Sequence, residues 1–356
     1  MLRFTLQPQW RVEREAGENL DATALLALLG AVQDSGSIAQ AGRELGLSYR
    51  KAWGLVGDAE RLLGQPLVTR ERGRGSALTE AGQRLVWADA RIAARLQPLL
   101  ASLGSEMGGE LAGAQRRQRP VCRLHASHGF AVASLHELLN ARRLPIDLRY
   151  RNSLEAVAAL ARGECDLAGF HVPLGELQHQ AAQRYLSWLK PDRHRLVLLA
   201  GRTQGLFLAP GNPLDVRGLD DLTRPGVRFV NRPEGSGTRV LTELLLKRQS
   251  IAPQAITGYN TTEMTHAAVA AYVASGMADV GLGVQTAAQR FGLHFIPLLR
   301  ERYFFALATD AQASGELSPV LSVLRSPAFR ARVAALSGYD ASTTGATMTL
   351  DEAFPD

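Results

Sequence analysis

The sequence predicts an α/β chain: an all-α helix-turn-helix head at the N-terminus, a long connecting helix, and a two-lobed α/β half behind it. Three observations carry that expectation. Residues 36–57 hold two short helical patterns joined at Gly46-Leu47-Ser48, residues 80–103 sustain one apolar stripe, and beyond residue 120 short apolar runs alternate with helical ones.

In chain order, a strand-like piece Phe4 to Val12 comes first, and Asp21 to Val32 reads as a helix whose Leu25, Leu26, Leu28 and Leu29 form a packing face. The helix-turn-helix follows. Ile38, Ala41 and Leu45 space one stripe, and Ala52, Leu55 and Val56 space the other. Ser48 offers an N-cap oxygen where the second helix begins. Tyr49, Arg50 and Lys51 then stand at an exposed helix start, which suits phosphates and base edges of double-stranded DNA. Ser37, Ser48, Tyr49, Arg50 and Lys51 are the candidate DNA contacts of this motif, and Trp53 falls on the packed side with Ala52 and Val56.

From Glu80 the residues Leu85, Val86, Ile92, Ala93, Leu96, Leu99, Leu100 and Leu103 give a helix too apolar on one side to stand alone. Its partner is either a second copy or the chain's own domain. Residues 104–120 mix glycine with charge and lack a sustained apolar period, so they read as a flexible linker. The domains are therefore expected at 1–79, 80–103 as linker helix, 104–120, and 121–345. In the last, Val121–Ala126, Leu135–Asn140, Asp147–Tyr150, Leu154–Ala161 and Asp166–Phe170 alternate as one lobe. A second set lies between Leu206 and Ile296. Apolar runs near 196–208 and 300–308 are the candidate crossovers, and strand-helix alternation predicts a parallel sheet covered on both faces, with a cleft between lobes.

Composition sets bounds only. A net charge of +6 fits an anionic partner but serves solubility as well. The basic residues are nearly all arginine, Lys51, Lys190 and Lys247 excepted, which a GC-rich coding bias explains without any functional demand. Cys122 and Cys165 are too few and too separated for a disulfide framework or a zinc site. No secretion signal opens the chain and no apolar run reaches membrane length, so a cytoplasmic location and no membrane partner are expected.

The candidate ligand groups come from strand-to-helix junctions. Gly235-Ser236-Gly237-Thr238 combines a tight turn, free amides and two hydroxyls at a helix start, a place that binds anions. Ordinary N-capping by Ser236 or Thr238 accounts for the same residues. Ser127, His128 and Gly129 occupy the equivalent junction of the first lobe. Asn152 and Glu155 form a capping box that leaves Ser153 for the cleft. Arg232, Arg239 and His266 suit a carboxylate or larger anion, or else an ion pair with Glu234 or Glu263. Thr265, His171 and Tyr303 complete the set. No nucleophile with its base, no phosphate-binding loop and no metal-ligand cluster is present, so neither an enzyme nor a cofactor is expected.

The stretch GSIAQAGRELGLSYRKAW, within about residues 17–103, resembles the N-terminal domain of the molybdate-responsive ModE regulators and, more distantly, of LysR-type regulators. That resemblance implies a winged helix-turn-helix whose hairpin runs from Pro66–Arg70 to Ala77–Thr79, with Arg70, Arg72 and Arg74 touching phosphates, and a homodimer or dimer of dimers joined through the long helix. Residues 121–310 resemble the type 2 periplasmic-binding-protein fold, carried by Ser127-His128-Gly129, Leu160–Gly169, Asn231–Arg239, Thr265–Ala270 and Val273–Gly283. The chain departs from the full-length molybdate regulators, because no pair of small barrel repeats follows the head. The resemblance implies a one-component transcriptional regulator sensing a small oxyanion, molybdate or tungstate. The alternative effector is an organic anion such as formate or a molybdenum-cofactor-related metabolite.

Overall fold

The computed structural model describes residues 4–13, 19–71, 75–114 and 121–355. The chain divides into two compact units, Gln7–Ala93 and a larger one of Met1–Leu6 with Ala94–Asp356.

In the smaller unit, β1 (Arg11–Glu13) pairs antiparallel with β2 (Asn19–Asp21), so the expected strand over Phe4 to Val12 shrinks to its end. The Asp21 carboxylate accepts the Thr23 amide and starts α1 (Ala22–Ser35). Ser37 caps α2 (Ile38–Glu44) and Ser48 caps α3 (Tyr49–Leu63) in the same way. Between them Gly46 takes φ +68°, a value only glycine adopts freely. Leu25, Leu28, Leu29, Val32, Ile38, Ala41, Ala52, Val56 and Ala59 form the core, each full leucine burial giving roughly 1.5–3 kcal/mol. Leu45 does not join it. The helix stops at Glu44, which leaves Leu45 as its C-cap and 41% exposed.

A ribbon of β3 (Val68–Glu71) and β4 (Gly75–Leu78) follows, paired antiparallel from Val68↔Leu78 to Glu71↔Gly75. The Glu60 carboxylate of α3 accepts the Leu67 and Val68 amides at 2.7 and 3.2 Å and fixes where the ribbon begins. Arg72 and Arg74, expected at its tip, lie outside the described residues.

Helix α4 runs from Glu80 to Ala114, so the flexible linker expected over 104–120 is helical as far as Ala114. The physical reason is tertiary. Ser105 Oγ accepts the Leu148 amide at 2.8 Å and donates to the Ile146 carbonyl, while Ser102 Oγ accepts the Tyr150 amide at 3.1 Å. The helix thus satisfies the open edge of a sheet, which outweighs its glycines. Pro98 inside α4 has no N–H to give the Ala94 carbonyl, and the Thr265 hydroxyl donates to that carbonyl instead at 3.2 Å.

The larger unit alternates as expected in its first lobe: β5 (Cys122–Ala126), α5 (Phe130–Ala141), β6 (Ile146–Tyr150), α6 (Ser153–Ala161), β7 (Leu167–Pro173) and α7 (Gln178–Leu186). Strand β8 (His194–Leu208) then leads to β9 (Phe229–Val230), α8 (Gly237–Arg248), α9 (His266–Ala274), β10 (Val280–Val284), α10 (Gln285–Arg290) and β11 (His294–Ala308). Helices α11 (Thr309–Ala313), α12 (Ser318–Leu324) and α13 (Pro327–Ala334), short strands β12 (Tyr339–Asp340) and β13 (Thr347–Met348), and α14 (Leu350–Ala353) close it. Leu350 and Ala353 are buried in the core, so the fold of this unit continues past the expected limit at 345.

One sheet of order β6-β5-β7-β11-β8-β10-β9 spans both lobes. It is mixed and not purely parallel: β5 pairs parallel with β6 and β7, whereas β8 and β11 run antiparallel along their length. Those two strands are 15 residues each and include residues 196–208 and 300–308. Helices on both faces bury separate apolar clusters.

Candidate functional site

Strands β8 and β11 carry a polar network at their midpoints. Glu301 of β11 stands directly opposite Arg202 of β8, and Tyr303 opposite His171 of β7. Arg202 Nε donates to the Glu301 carboxylate, which also accepts Gln204 Nε2 at 2.9 Å and His171 Nδ1 at 2.9 Å. All four side chains are buried. Burial alone favours a neutral carboxyl, but Arg202 and His171 outweigh it and hold Glu301 at about 2. Burial likewise pushes the His171 imidazole below its ordinary range, and the Glu301 carboxylate beside its Nδ1 opposes that shift.

The junctions of both lobes close on this network. Gly129, before α5, comes close enough that a β-carbon there would lie 3.6 Å from an Arg202 nitrogen. Gly237, first residue of α8, faces the His171 ring so closely that a β-carbon would meet Cε1 at 2.3 Å. Gly235 faces the Asn152 amide group, which brings the starts of α6 and α8 together. Thr238 Oγ1 accepts Gln204 Nε2 at 3.3 Å, and the Tyr303 hydroxyl lies 3.2 Å from Ser127 Oγ. His128 stacks edge-on against Tyr150 and is lowered to about 4 by burial and by the charges of Arg232 and Arg290.

Arg232 stands out electrostatically. The residue is 5% exposed, and among the described residues its Nε and Nη1 find no hydrogen-bond partner. Burial lowers its proton affinity to about 9, Arg202 adds to that effect, and Glu263 opposes it. His266 Nδ1 is also buried and unpartnered, and burial with Arg232 and Arg202 holds its imidazole well below the ordinary value. A buried guanidinium with unmet donors is costly, and an anion held there removes that cost.

Other expected ligand groups are already occupied. Ser236 Oγ accepts the Arg239 amide at 3.2 Å and donates to the Pro233 carbonyl at 2.9 Å, so it serves as an N-cap. Thr265 caps α9 and donates to Ala94. Arg239 turns away to Glu243 at 3.1 Å and lies 4.1 Å over the Tyr259 ring, a different carboxylate from either expected one. The Asn152–Glu155 capping box is present, and Ser153 is fully buried beside the Tyr185 hydroxyl. Arg202, Gln204 and Glu301 were not among the expected residues. Their signal is a short polar run, Arg202-Thr203-Gln204 or Arg300-Glu301-Arg302, between the apolar stretches of each long strand.

In the smaller unit, Tyr49, Arg50 and Lys51 are exposed at the start of α3, Tyr49 at 57%. Ser37 and Ser48 act there as N-caps. Trp53 is half-buried and not fully core. Its ring meets Tyr49 edge-on at 6.4 Å and carries the Arg70 guanidinium 4.2 Å above its centre. The ribbon's first arginine is thereby fixed beside the exposed helix start.

These features match known families. The profile described as PBP superfamily domain matches residues 136–325, just over half the chain, and the one described as bacterial regulatory helix-turn-helix protein, lysR family, matches residues 23–83. The chain belongs to the PBP superfamily and carries a LysR-type helix-turn-helix in front of that domain. It is 32% identical over 197 residues to the uncharacterised protein YvgK of Bacillus subtilis, covering 55% of this chain and 63% of that protein. It is 43% identical over 81 residues to the molybdenum-pterin-binding protein MopB of Rhodobacter capsulatus, covering 22% of this chain and 30% of that one. The chain therefore spans less than two thirds of either relative. A hydrogen-peroxide-bound cysteine-to-serine mutant of OxyR from Corynebacterium glutamicum aligns over 87% of this chain and 93% of its own, with 16% identity and a TM-score of 0.45.

Proposed function

We propose that this protein is a one-component transcriptional regulator: α3 and the β3–β4 ribbon bind operator DNA, and the two-lobed unit senses a small anion. The observation that carries the sensing half is Arg232, a buried guanidinium whose unpartnered donors stand among Arg202, His128 and His266. Exposed Tyr49, Arg50, Lys51 and Arg70 support the DNA half. The site's role is binding and not catalysis, and the protein works in the cytoplasm.

Molybdate or tungstate is the leading effector, supported by the partial likeness to a molybdenum-pterin-binding protein and by donors that suit a fully ionised oxyanion. Formate or a molybdenum-cofactor-related metabolite is the second reading, favoured by the guanidinium, which pairs well with carboxylates. A homodimer is supported by Leu99, Leu103 and Met107, exposed at helical spacing along α4.

Calorimetric titration with molybdate, tungstate, sulfate and formate tests the reading. One of these should bind the parent protein and fail to bind Arg232→Gln. Equal binding by both proteins removes Arg232 from the site.

A further inference from the structure

We propose that Arg95 of α4 is a positioning residue of the anion site: it engages the Glu263 carboxylate and so leaves Arg232 free to take an anion. The inference rests on the anion-sensing reading above.

Glu263 and Arg232 lie on adjoining segments of the same wall. Asn231 bridges to Thr262, its carbonyl accepts the Glu263 amide at 2.9 Å, and its side-chain oxygen accepts the Arg232 amide at 2.9 Å. Among the described residues, Glu263 is the carboxylate whose charge acts on Arg232. Its side chain is 2% exposed, so it cannot discharge its field into water.

Arg95 answers that carboxylate from outside the region matched to the PBP superfamily. Its Nε donates to both Glu263 oxygens at 2.9 and 2.7 Å, and its Nη2 donates to Oε1 as well. The Arg95 side chain is 43% exposed, so it serves as a solvated countercharge at the rim. One residue earlier, the Ala94 carbonyl accepts the Thr265 hydroxyl. This second bond holds α4 against the residues that lead into His266. Glu263 is bonded to Arg95 and acts on Arg232 through its charge alone, and each bond to Arg95 diminishes what Glu263 offers Arg232.

A purely structural ion pair and a positioning pair differ in sign. Removing Arg95 frees Glu263 to neutralise Arg232, which opposes an anion. Removing the Glu263 charge makes the site more positive, which favours one. Titration of the full chain with molybdate, tungstate, sulfate and formate separates the two. Arg95→Gln should weaken the anion that the parent binds by roughly tenfold or more, the scale of one charge acting from about 12 Å or nearer at an effective dielectric near 20. Glu263→Gln should bind at least as tightly as the parent, and the double variant should follow Glu263→Gln. Arg95→Lys, which keeps the charge, should stay within a few-fold of the parent even if Arg95→Gln folds poorly. Unchanged binding in Arg95→Gln, a Lys variant as weak as the Gln variant, or equal loss in all variants overturns the proposal. A parent that binds none of the four anions overturns the anion reading, and this inference falls with it.

Discussion

The imidazole of His171 occupies the space that a β-carbon at Gly237 would require, 2.3 Å from that position at its Cε1. His171 cannot step aside freely, because its Nδ1 is held 2.9 Å from Glu301 and its ring stacks on Tyr303. Gly237→Ala should therefore strain the network where α8 meets β7. The expected cost is about 1–3 kcal/mol, with weaker anion binding. Denaturant midpoints and titration together check it; an Ala variant as stable as the parent means that α8 shifts without resistance.

Acid should destabilise the larger unit in two windows. Glu301, at about 2 in the folded chain and 4.5 ordinarily, contributes stability that is complete above about 4.5 and lost as pH falls toward 2, about 3 kcal/mol in all. His128, lowered to about 4 from 6.5, is neutral when folded and protonated when unfolded between those values. The unfolded state binds more protons there, so stability falls as pH drops from 6.5 to 4. His128→Gln should make that upper window shallower without abolishing it, because the lowered His171 and His266 act in the same direction, and should leave the lower one. Urea unfolding at a series of pH values reads both slopes.

Arg232 should sacrifice stability for binding. Arg232→Met replaces a buried cation whose donors are unmet by an apolar side chain of similar length, and the ligand-free protein should gain about 1–4 kcal/mol while losing its anion. A saturating anion should raise the parent's stability, by about 2.7 kcal/mol at a hundredfold excess over Kd, and leave the variant's unchanged. Thermal melts with and without anion distinguish the two proteins.

Much of this was legible because it is local. The helix-turn-helix, the Asn152–Glu155 capping box and the strand-helix alternation of the first lobe each lie within a few residues of their own signals. The central network is not local. Arg202 and Glu301 stand about a hundred positions apart, and strand register alone brings them together. Arg232 and Arg239 look alike in the sequence, yet one faces the lobe junction unpaired and the other turns to Glu243. The helical continuation through 104–114 was hidden for the same reason, since Ser102 and Ser105 find their partners on β6.

Arg70 depends on Trp53 for its position, so two variants should weaken operator binding in different ways. If Arg70 meets a phosphate as proposed, Arg70→Ala should lower the slope of log K against log salt by about one. Trp53→Leu keeps the charge but removes the platform beneath it, which should lower affinity with a smaller change in slope. Arg50→Ala with Lys51→Ala should flatten the slope further still. Binding measured across a salt series ranks them, and an unchanged slope in the last variant strikes both residues from the contact list.

Pro98 and Thr265 should be coupled although they are far apart in sequence. Proline at 98 leaves the Ala94 carbonyl without its helical partner, and the Thr265 hydroxyl supplies a hydrogen bond at 3.2 Å while also capping α9 through the Ala268 amide at 2.9 Å. Thr265→Val keeps the shape and loses both bonds, with an expected cost of about 1–3 kcal/mol. Pro98→Ala restores the N–H that Ala94 lacks, so in that background part of the cost disappears and only the lost cap remains. A double-mutant cycle on unfolding free energies should give a coupling of about 0.5–1.5 kcal/mol. Strict additivity would mean that the Ala94 carbonyl is satisfied by water and that Thr265 acts on α9 alone.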